Sequence, residues 1–152
     1  MAKSEAITEA SRYTGRCLCG EVRYSLDCEL GPLTNCHCQF CRRAHGSAFS
    51  TVSWVPSETF QFTAGEAHVS CFSRSGGGRY FCSLCGTRLF SRADSKADHL
   101  SLIVSSLDQE PPAGPVAHFN IESKAGWYEI LDDCPQFETL PAAVRKFMDE
   151  QS

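Results

Sequence analysis

The stretch Phe81-Cys82-Ser83-Leu84-Cys85-Gly86 decides how this chain folds, and a shorter counterpart, Cys17-Leu18-Cys19-Gly20, stands near the N-terminus. In each stretch two cysteines are followed directly by a glycine, which lets the backbone turn tightly around a metal ion. Structural zinc sites take four ligands and favour closely spaced cysteine thiolates. We therefore predict one structural zinc ion, tying the N-terminal part of the chain to its middle and held by Cys17, Cys19, Cys82 and Cys85.

A third cluster, Cys36-His37-Cys38-Gln39-Phe40-Cys41, contains three more thiols within six residues. Three protein ligands leave one position on zinc open, and catalytic zinc sites keep such a position. The cluster therefore predicts a second, catalytic zinc ion at Cys36, Cys38 and Cys41. One alternative stays open, in which His37 or His45 completes a closed site. His37 is the weaker candidate because a residue between two ligands normally points away from the metal.

The predicted ligands of this second ion indicate its chemistry. Three thiolates leave a zinc site with net negative charge, which makes it a mild Lewis acid and a poor source of hydroxide. Such a site is suited to binding an external thiol and holding it as thiolate at neutral pH. Chemistry on a sulfur substrate is therefore favoured over peptide or ester hydrolysis.

Composition excludes several classes of protein. The 152 residues suffice for one ordinary domain, with 42% hydrophobic residues, 21% charged residues and a formal net charge of −4. No basic stripe indicates nucleic acid, and no run approaches the roughly 20 apolar residues of a membrane helix. The polar N-terminus lacks the pattern of a secretory signal, so we expect a cytoplasmic protein with no nucleic-acid or membrane partner.

Cysteine usage agrees with that expectation. In a reducing compartment, clustered cysteines bind metal or react more often than they form disulfides, which leaves a disulfide scaffold as the less favoured alternative. Cys28, Cys71 and Cys134 stand alone in the sequence and are interpreted as small buried hydrophobes. Trp54 and Trp127 are interpreted as core residues.

Alternating segments predict a mainly β fold. Val22, Tyr24 and Leu26 alternate with polar residues, which is the period of a half-buried strand. Further strands are predicted at 47–54, 59–63, 67–73, 79–81, 87–91, 99–105 and 116–121. Helix is expected only from Gln39 to Ala44 and from about Pro141 to Glu150, where Pro141 suits the first helical turn.

These segments predict a single domain. Residues 1–13 are expected to form a flexible N-terminal tail, residues 14–138 the zinc domain, and residues 139–152 a short C-terminal helix and tail. The turn signals between the short strands favour several sheets around the zinc-binding turns.

The three clusters and their flanks resemble the glutathione-dependent formaldehyde-activating family, which also includes the centromere protein V domain. The likeness covers about residues 15–138 in the family's order. The matching stretches are Gly15–Tyr24, Asn35–Arg43, Gly46–Phe49, Arg79–Phe90, Ser106–Asp108, Pro115–Phe119, Ser123–Trp127 and Asp132–Phe137.

The resemblance implies an Mss4-like fold of curved antiparallel sheets, with a structural and a catalytic zinc ion on the two cysteine sets named above. It also implies an activity, the condensation of glutathione with formaldehyde to S-hydroxymethylglutathione, which is classed as a carbon–sulfur lyase reaction in reverse. Two alternatives remain: a non-catalytic zinc module that binds a partner, and a redox-responsive cluster whose thiols oxidise and expel the metal.

The implied substrate directs attention to cationic residues. Glutathione carries two carboxylates and one ammonium group, so its pocket should offer cationic donors. The candidates are Arg42, Arg43, Arg79 and Lys124, each of which is alternatively a solvated surface charge. His118 is the candidate proton donor or carrier, and alternatively a buried histidine that is hydrogen-bonded within a strand.

Overall fold

The structure, a computed structural model, describes residues 12–74, 76–142 and 144. Within this part of the chain lie ten β-strands and one α-helix, α1, which spans Gln39–His45. The strands are β1 (Tyr13–Arg16), β2 (Arg23–Leu26), β3 (Leu33–Cys36), β4 (Ser50–Pro56), β5 (Phe60–Ala64), β6 (Val69–Arg74), β7 (Gly77–Cys82), β8 (Arg88–Ala93), β9 (His99–Ile103) and β10 (Ala117–Phe119).

The strands form two sheets. The smaller sheet has the order β1-β2-β5, and the larger has the order β10-β3-β4-β9-β8-β7-β6. The pairs are antiparallel except for β3 and β10, which run parallel. The predicted mainly β fold is confirmed, with parallel pairing at one edge because β10 reaches β3 through a long connection.

The core lies between the two sheets. Val22, Tyr24 and Leu26 are at most 1% exposed, which confirms the strand that their alternation predicts. The Tyr24 ring stacks on Phe60, with 4.8 Å between ring centroids, and Phe60 meets Phe90 of the larger sheet at 5.0 Å. Full burial of one such side chain stabilises the fold by about 1.5–3 kcal/mol.

The glycine run Gly76-Gly77-Gly78 leads into β7. Gly77 and Gly78 belong to β7 and pair with β6. A Cβ atom on Gly78 would lie 2.6 Å from the sulfur of Cys71, so a glycine here permits the two strands to approach closely. The glycine run therefore serves strand packing.

Other boundaries also differ from the prediction. The strand predicted at 47–54 is β4, which ends at Pro56. Tyr13, assigned to the N-terminal tail, begins β1 and pairs with Leu26. Most of the predicted C-terminal helix lies outside the described residues, and the division into tail, domain and helix stays a prediction.

Two assignments to the core are wrong. Trp127 is 72% exposed, and Cys71 is also exposed. Trp54 is half-buried and stacks on His99, with 5.4 Å between ring centroids. All ten cysteines lie in the described part of the chain and are free thiols.

No described helix has both the length and the apolar character needed to cross a membrane.

Candidate metal centres and active site

Four thiols meet where the two sheets join. Cys17 follows β1, Cys82 ends β7, and Cys19 and Cys85 lie in the turns beyond them. The four sulfur atoms all lie within 4.8 Å of one another. The Cys17 and Cys19 sulfurs are 3.4 Å apart, and those of Cys19 and Cys82 are 3.9 Å apart.

These spacings fit a tetrahedral zinc site. Zinc–sulfur bonds of about 2.3 Å place tetrahedral sulfur atoms roughly 3.8 Å apart. Cys17 and Cys82 are at most 1% exposed, so half of the set is part of the core. This four-cysteine set can therefore hold a zinc ion that joins the two sheets.

The other three thiols gather at one end of the larger sheet. Cys36 ends β3, Cys38 caps the N-terminus of α1, and Cys41 lies in its first turn. Their sulfur atoms lie within 4.8 Å of one another, and all three side chains are half-buried. Among the described residues, no histidine, further cysteine or acidic side chain joins this three-cysteine set as a fourth ligand.

Mutual hydrogen bonding makes the three thiols unequal. Hydrogen bonds from Cys36 and Cys41 lower the pKa of Cys38 to about 2. The same contacts raise the pKa of Cys41, with burial adding to the effect. The backbone N–H of Cys41 also donates to the Cys38 sulfur at 3.4 Å. The geometry thus favours a thiolate at Cys38, the form in which cysteine binds metal.

A side-chain amide supports the first ligand of this set. Nδ2 of Asn120 donates to the sulfur of Cys36 at 3.3 Å. Asn120 follows β10, whose parallel pairing with β3 places Phe119 beside Cys36. The Asn120 backbone has a φ of 58°, a left-handed conformation that asparagine tolerates better than most residues.

A buried chain of hydrogen bonds lies behind the same loop. His118 Nε2 lies 3.0 Å from a carboxylate oxygen of Asp132, and His118 Nδ1 lies 2.8 Å from Nε2 of His37. The backbone N–H of Cys134 and the His118 side chain lower the pKa of Asp132. Since a carboxylate only accepts, a neutral His118 ring in this position would donate to Asp132 and accept from His37.

These hydrogen bonds anchor the loop that carries the thiols. His37 is fully buried between two of the three cysteines in sequence, and burial lowers its pKa to about 4, with His118 adding to the effect. Neither His37 nor His45 belongs to the three-cysteine set. His118 is 1% exposed and hydrogen-bonded, which fits the alternative of a buried histidine within a strand. A catalytic role for His118 stays a prediction.

A third set of candidate ligands comprises His118, Asp132 and Cys134, whose ligand atoms also lie within 4.8 Å of one another. Both ring nitrogens of His118 are already engaged in the hydrogen-bonded chain, and Cys134 Sγ donates to the carbonyl of Pro115 at 3.3 Å. The arrangement is therefore explained as a structural network.

Two of the predicted glutathione-binding cations donate hydrogen bonds to backbone carbonyls of nearby loops. Nη1 of Arg42 donates to the carbonyl of Ser123 at 2.8 Å. Nζ of Lys124 donates to the carbonyls of Ala125 and Tyr128, at 3.1 and 2.5 Å. These bonds fix the segment that follows β10, and they hold the Lys124 ammonium group within its own loop.

The other two predicted cations line open cavities beside α1. Arg43 borders a cavity of about 290 Å³ together with Arg42 and the exposed Trp127. Arg79 lies in a larger cleft on another side of the helix, with its guanidinium 5.7 Å from the ring centroid of Phe40. That any of the four binds glutathione stays a prediction.

Sequence reasoning missed the residues that act through tertiary contacts. Asn120 is remote in sequence from Cys36, and Asp132 from His118. Asp132 begins a stretch that matches the family, but the sequence did not indicate its role. Arg74, Arg88 and Arg92 join Arg79 only because β6, β7 and β8 lie side by side.

Comparisons with known proteins match most of the chain to one family. The sequence pattern of the family described as glutathione-dependent formaldehyde-activating enzyme matches residues 12–123. A Halomonas elongata protein is 27% identical over 124 residues, covering 76% of this chain and 79% of the relative. A Penicillium rubens protein is 30% identical over 132 residues, covering 85% of this chain but only 60% of the relative. Both carry that family's name provisionally.

A solved structure shares the fold. The crystal structure of a Rhodobacter sphaeroides protein aligns with a TM-score of 0.55 at 21% sequence identity. The alignment covers 65% of this chain and 91% of that protein. At this level of identity the likeness concerns the fold alone.

Proposed function

Because the chain belongs to the glutathione-dependent formaldehyde-activating enzyme family, we propose that it is a zinc-dependent enzyme acting on a carbon–sulfur bond. Its substrates would be glutathione and formaldehyde, and its product S-hydroxymethylglutathione. The observation that carries the proposal is the three-cysteine set, which stands apart from the four-cysteine set and gains no fourth ligand from the described residues.

The reaction is an addition that balances without a redox partner. A bond forms between the thiol sulfur and the carbon of formaldehyde, while the carbonyl π-electron pair moves to oxygen. The thiol proton ends on that oxygen, so that a thiol and formaldehyde give a hydroxymethyl thioether. Zinc at the three-cysteine set would supply an open position that favours the thiolate form of the substrate at neutral pH.

The chain's own residues hold this set in shape. Asn120 donates to Cys36 and orients the first thiol, while the hydrogen bond from His37 to His118 anchors the peptide between Cys36 and Cys38. Such outer-shell contacts keep ligands in position and tune their basicity. The four-cysteine set would hold the second zinc ion, with a structural role.

The cavity beside α1 fits the charged groups of glutathione. It has a volume of about 290 Å³ and is lined by Arg42 and Arg43, residues whose positive charge suits two carboxylates. Trp127 forms an apolar wall of the same cavity. Since α1 also carries Cys41, a ligand in this cavity lies beside the helix that supplies the site.

Exchange NMR tests the proposal. Zinc-loaded protein is added to glutathione and formaldehyde, and the exchange rate between free and hydroxymethylated glutathione is compared with the spontaneous rate. We expect acceleration by the natural chain, loss of that acceleration in Cys38→Ser, and retention in Cys71→Ser, a control that alters a thiol outside both metal sets. No acceleration by the natural chain would remove the proposed activity.

A further inference from the structure

Arginine side chains line a trough between α1 and the strands β6, β7 and β8. Two adjoining cavities of about 510 and 410 Å³ share Phe40, Arg74 and Arg79. Arg43 and Arg88 line the larger cavity, and Arg92 lines the smaller. We call this feature the arginine trough.

Within the described part of the chain, no acidic side chain pairs with the charges in the arginine trough. None of the residues lining the two cavities is Asp or Glu, and none of the ion pairs found within residues 12–74, 76–142 and 144 involves a trough arginine. Nε of Arg88 is buried and has no hydrogen-bond partner among the described residues. Burial and the nearby guanidinium of Arg79 lower the pKa of Arg88 to about 10, which leaves it cationic at neutral pH.

This concentration of charge is unusual for an acidic chain. The protein has 14 Lys and Arg residues and a net charge of −4, yet five of those cations share the arginine trough. Cations that repel one another without a carboxylate partner carry a free-energy cost, which a bound anion would remove.

Aromatic rings hold several of these groups in place. The guanidinium of Arg74 lies 4.9 Å from the ring centroid of Phe40, and that of Arg92 lies 5.5 Å from the ring centroid of Tyr80. A stacked guanidinium keeps its planar fork available for two oxygens of a phosphate or carboxylate. Phe72, 56% exposed, offers an apolar surface in the larger cavity.

We propose that the arginine trough binds a small molecule with several anionic oxygens, phosphate or carboxylate, and more negative charge than glutathione. With five arginines and no acidic residue in its lining, the trough favours a ligand that carries more negative charge than glutathione. The volumes lie in the range of small-molecule sites, and the negative net charge of the chain disfavours nucleic acid. The inference goes beyond the proposed function and does not depend on the thiol chemistry.

Titration calorimetry on the zinc-loaded protein tests the assignment. The probes are adenosine diphosphate for phosphate oxygens and tricarballylate for carboxylate oxygens, with glutathione for comparison. The variant is Arg74→Ser/Arg92→Ser. Its control is Arg16→Ser, which removes the same kind of charge from β1, where Arg16 lies 3.6 Å from Asp108. Bound zinc and the melting temperature are measured for each protein, so that chelation or unfolding is recognised.

We expect at least one of the two polyanions to bind more tightly than glutathione. Its affinity should fall about tenfold or more in Arg74→Ser/Arg92→Ser and stay within about twofold in Arg16→Ser. The better probe identifies which oxygen the trough prefers. The assignment is overturned if neither polyanion binds, if the double variant binds unchanged, or if a short single-stranded oligonucleotide binds far more tightly than both.

Discussion

At the scale of single residues, the two cysteine sets differ in burial and in hydrogen bonding. Cys82 is fully buried at the junction of the sheets, and burial raises the pKa of its thiol. Cys38 is half-buried at the start of α1 and has a strongly lowered pKa. These differences suit a structural set and a reactive set, and they predict different consequences of substitution.

We expect Cys82→Ser mainly to destabilise the fold and Cys38→Ser mainly to abolish catalysis. Losing a ligand in the core should cost more than about 3 kcal/mol, because binding of a structural zinc ion contributes directly to folding. Cys38→Ser should cost about 1 kcal/mol or less. Denaturant unfolding of both variants measures the difference, and equal destabilisation would contradict the division of labour.

Asn120 allows the backbone and the side chain of one residue to be separated. Asn120→Gly keeps the left-handed conformation but removes the amide that donates to Cys36. We expect the affinity of the three-cysteine set for zinc to fall about 10- to 100-fold with little change in stability. Competition with a chelator measures the affinity. Unchanged zinc release would show that the amide does not support the ligand.

At the scale of elements, turns set the position of each cysteine set. The turn at Gly65, after β5, has a φ of 73°, and a Cβ atom there would lie 2.1 Å from the backbone oxygen of Glu21. Gly46, which ends α1, has a similar φ of 59° but open space around it. Both positions favour glycine for its backbone, and only Gly65 also needs it for packing.

Alanine substitutions at Gly46 and Gly65 separate the cost of backbone strain from the cost of the packing clash. Gly46→Ala should cost about 1 kcal/mol of stability, the strain of a left-handed alanine. Gly65→Ala should cost at least about 2 kcal/mol, because backbone atoms of β5's turn and of Glu21 must also separate. Urea unfolding of the two variants provides the values, and a Gly65→Ala cost no larger than that of Gly46→Ala would be the contrary result.

At the scale of the whole molecule, the two sheets are joined by the four-cysteine set and by a buried polar contact. The hydroxyl of Tyr24 in β2 lies 2.7 Å from the hydroxyl of Ser106, which follows β9. Burial raises the pKa of Tyr24 to about 12, opposed by the bond to Ser106 and assisted by Asp108. The neutral phenol is therefore the form that the folded protein requires.

The burial of this phenol predicts a loss of stability in alkali. The pKa of Tyr24 in the folded protein is above the unfolded value of 10.0. The stability that its neutral phenol contributes is therefore intact below pH 10 and is lost as pH rises toward 12. Its full size is roughly 2–3 kcal/mol. Tyr24→Phe should cost about 1 kcal/mol at pH 8, where Ser106 still donates to Ile103, and should lose less stability than the natural chain at higher pH.

Urea midpoints of the natural chain and Tyr24→Phe, measured from pH 8 to 11.5, check this expectation. The other tyrosines and the thiols titrate in both proteins, so the difference between the two curves isolates Tyr24. Parallel curves across the whole range would contradict a perturbed phenol.

The sequence by itself determined the features that depend on short spacing. Each cysteine cluster predicts neighbouring thiols that share a site, because residues close in sequence cannot lie far apart. The glycine that follows two of the clusters also indicates that those two belong to one four-cysteine set. The alternation of Val22, Tyr24 and Leu26 predicts a half-buried strand, since side chains on a strand point to opposite faces. Helix α1 was predicted within one residue, from Gln39 to Ala44 against Gln39–His45.

Only the tertiary structure decided which distant residues meet. Three features depend on strand order and register. They are the hydrogen bond from Asn120 to Cys36, the hydrogen-bonded chain of His37, His118 and Asp132, and the arginine trough. The exposure of Trp127 likewise follows from where its loop lies. Strand order and register are set by how the sheets pack, and the local pattern of apolar residues specifies a strand's face without specifying its partner.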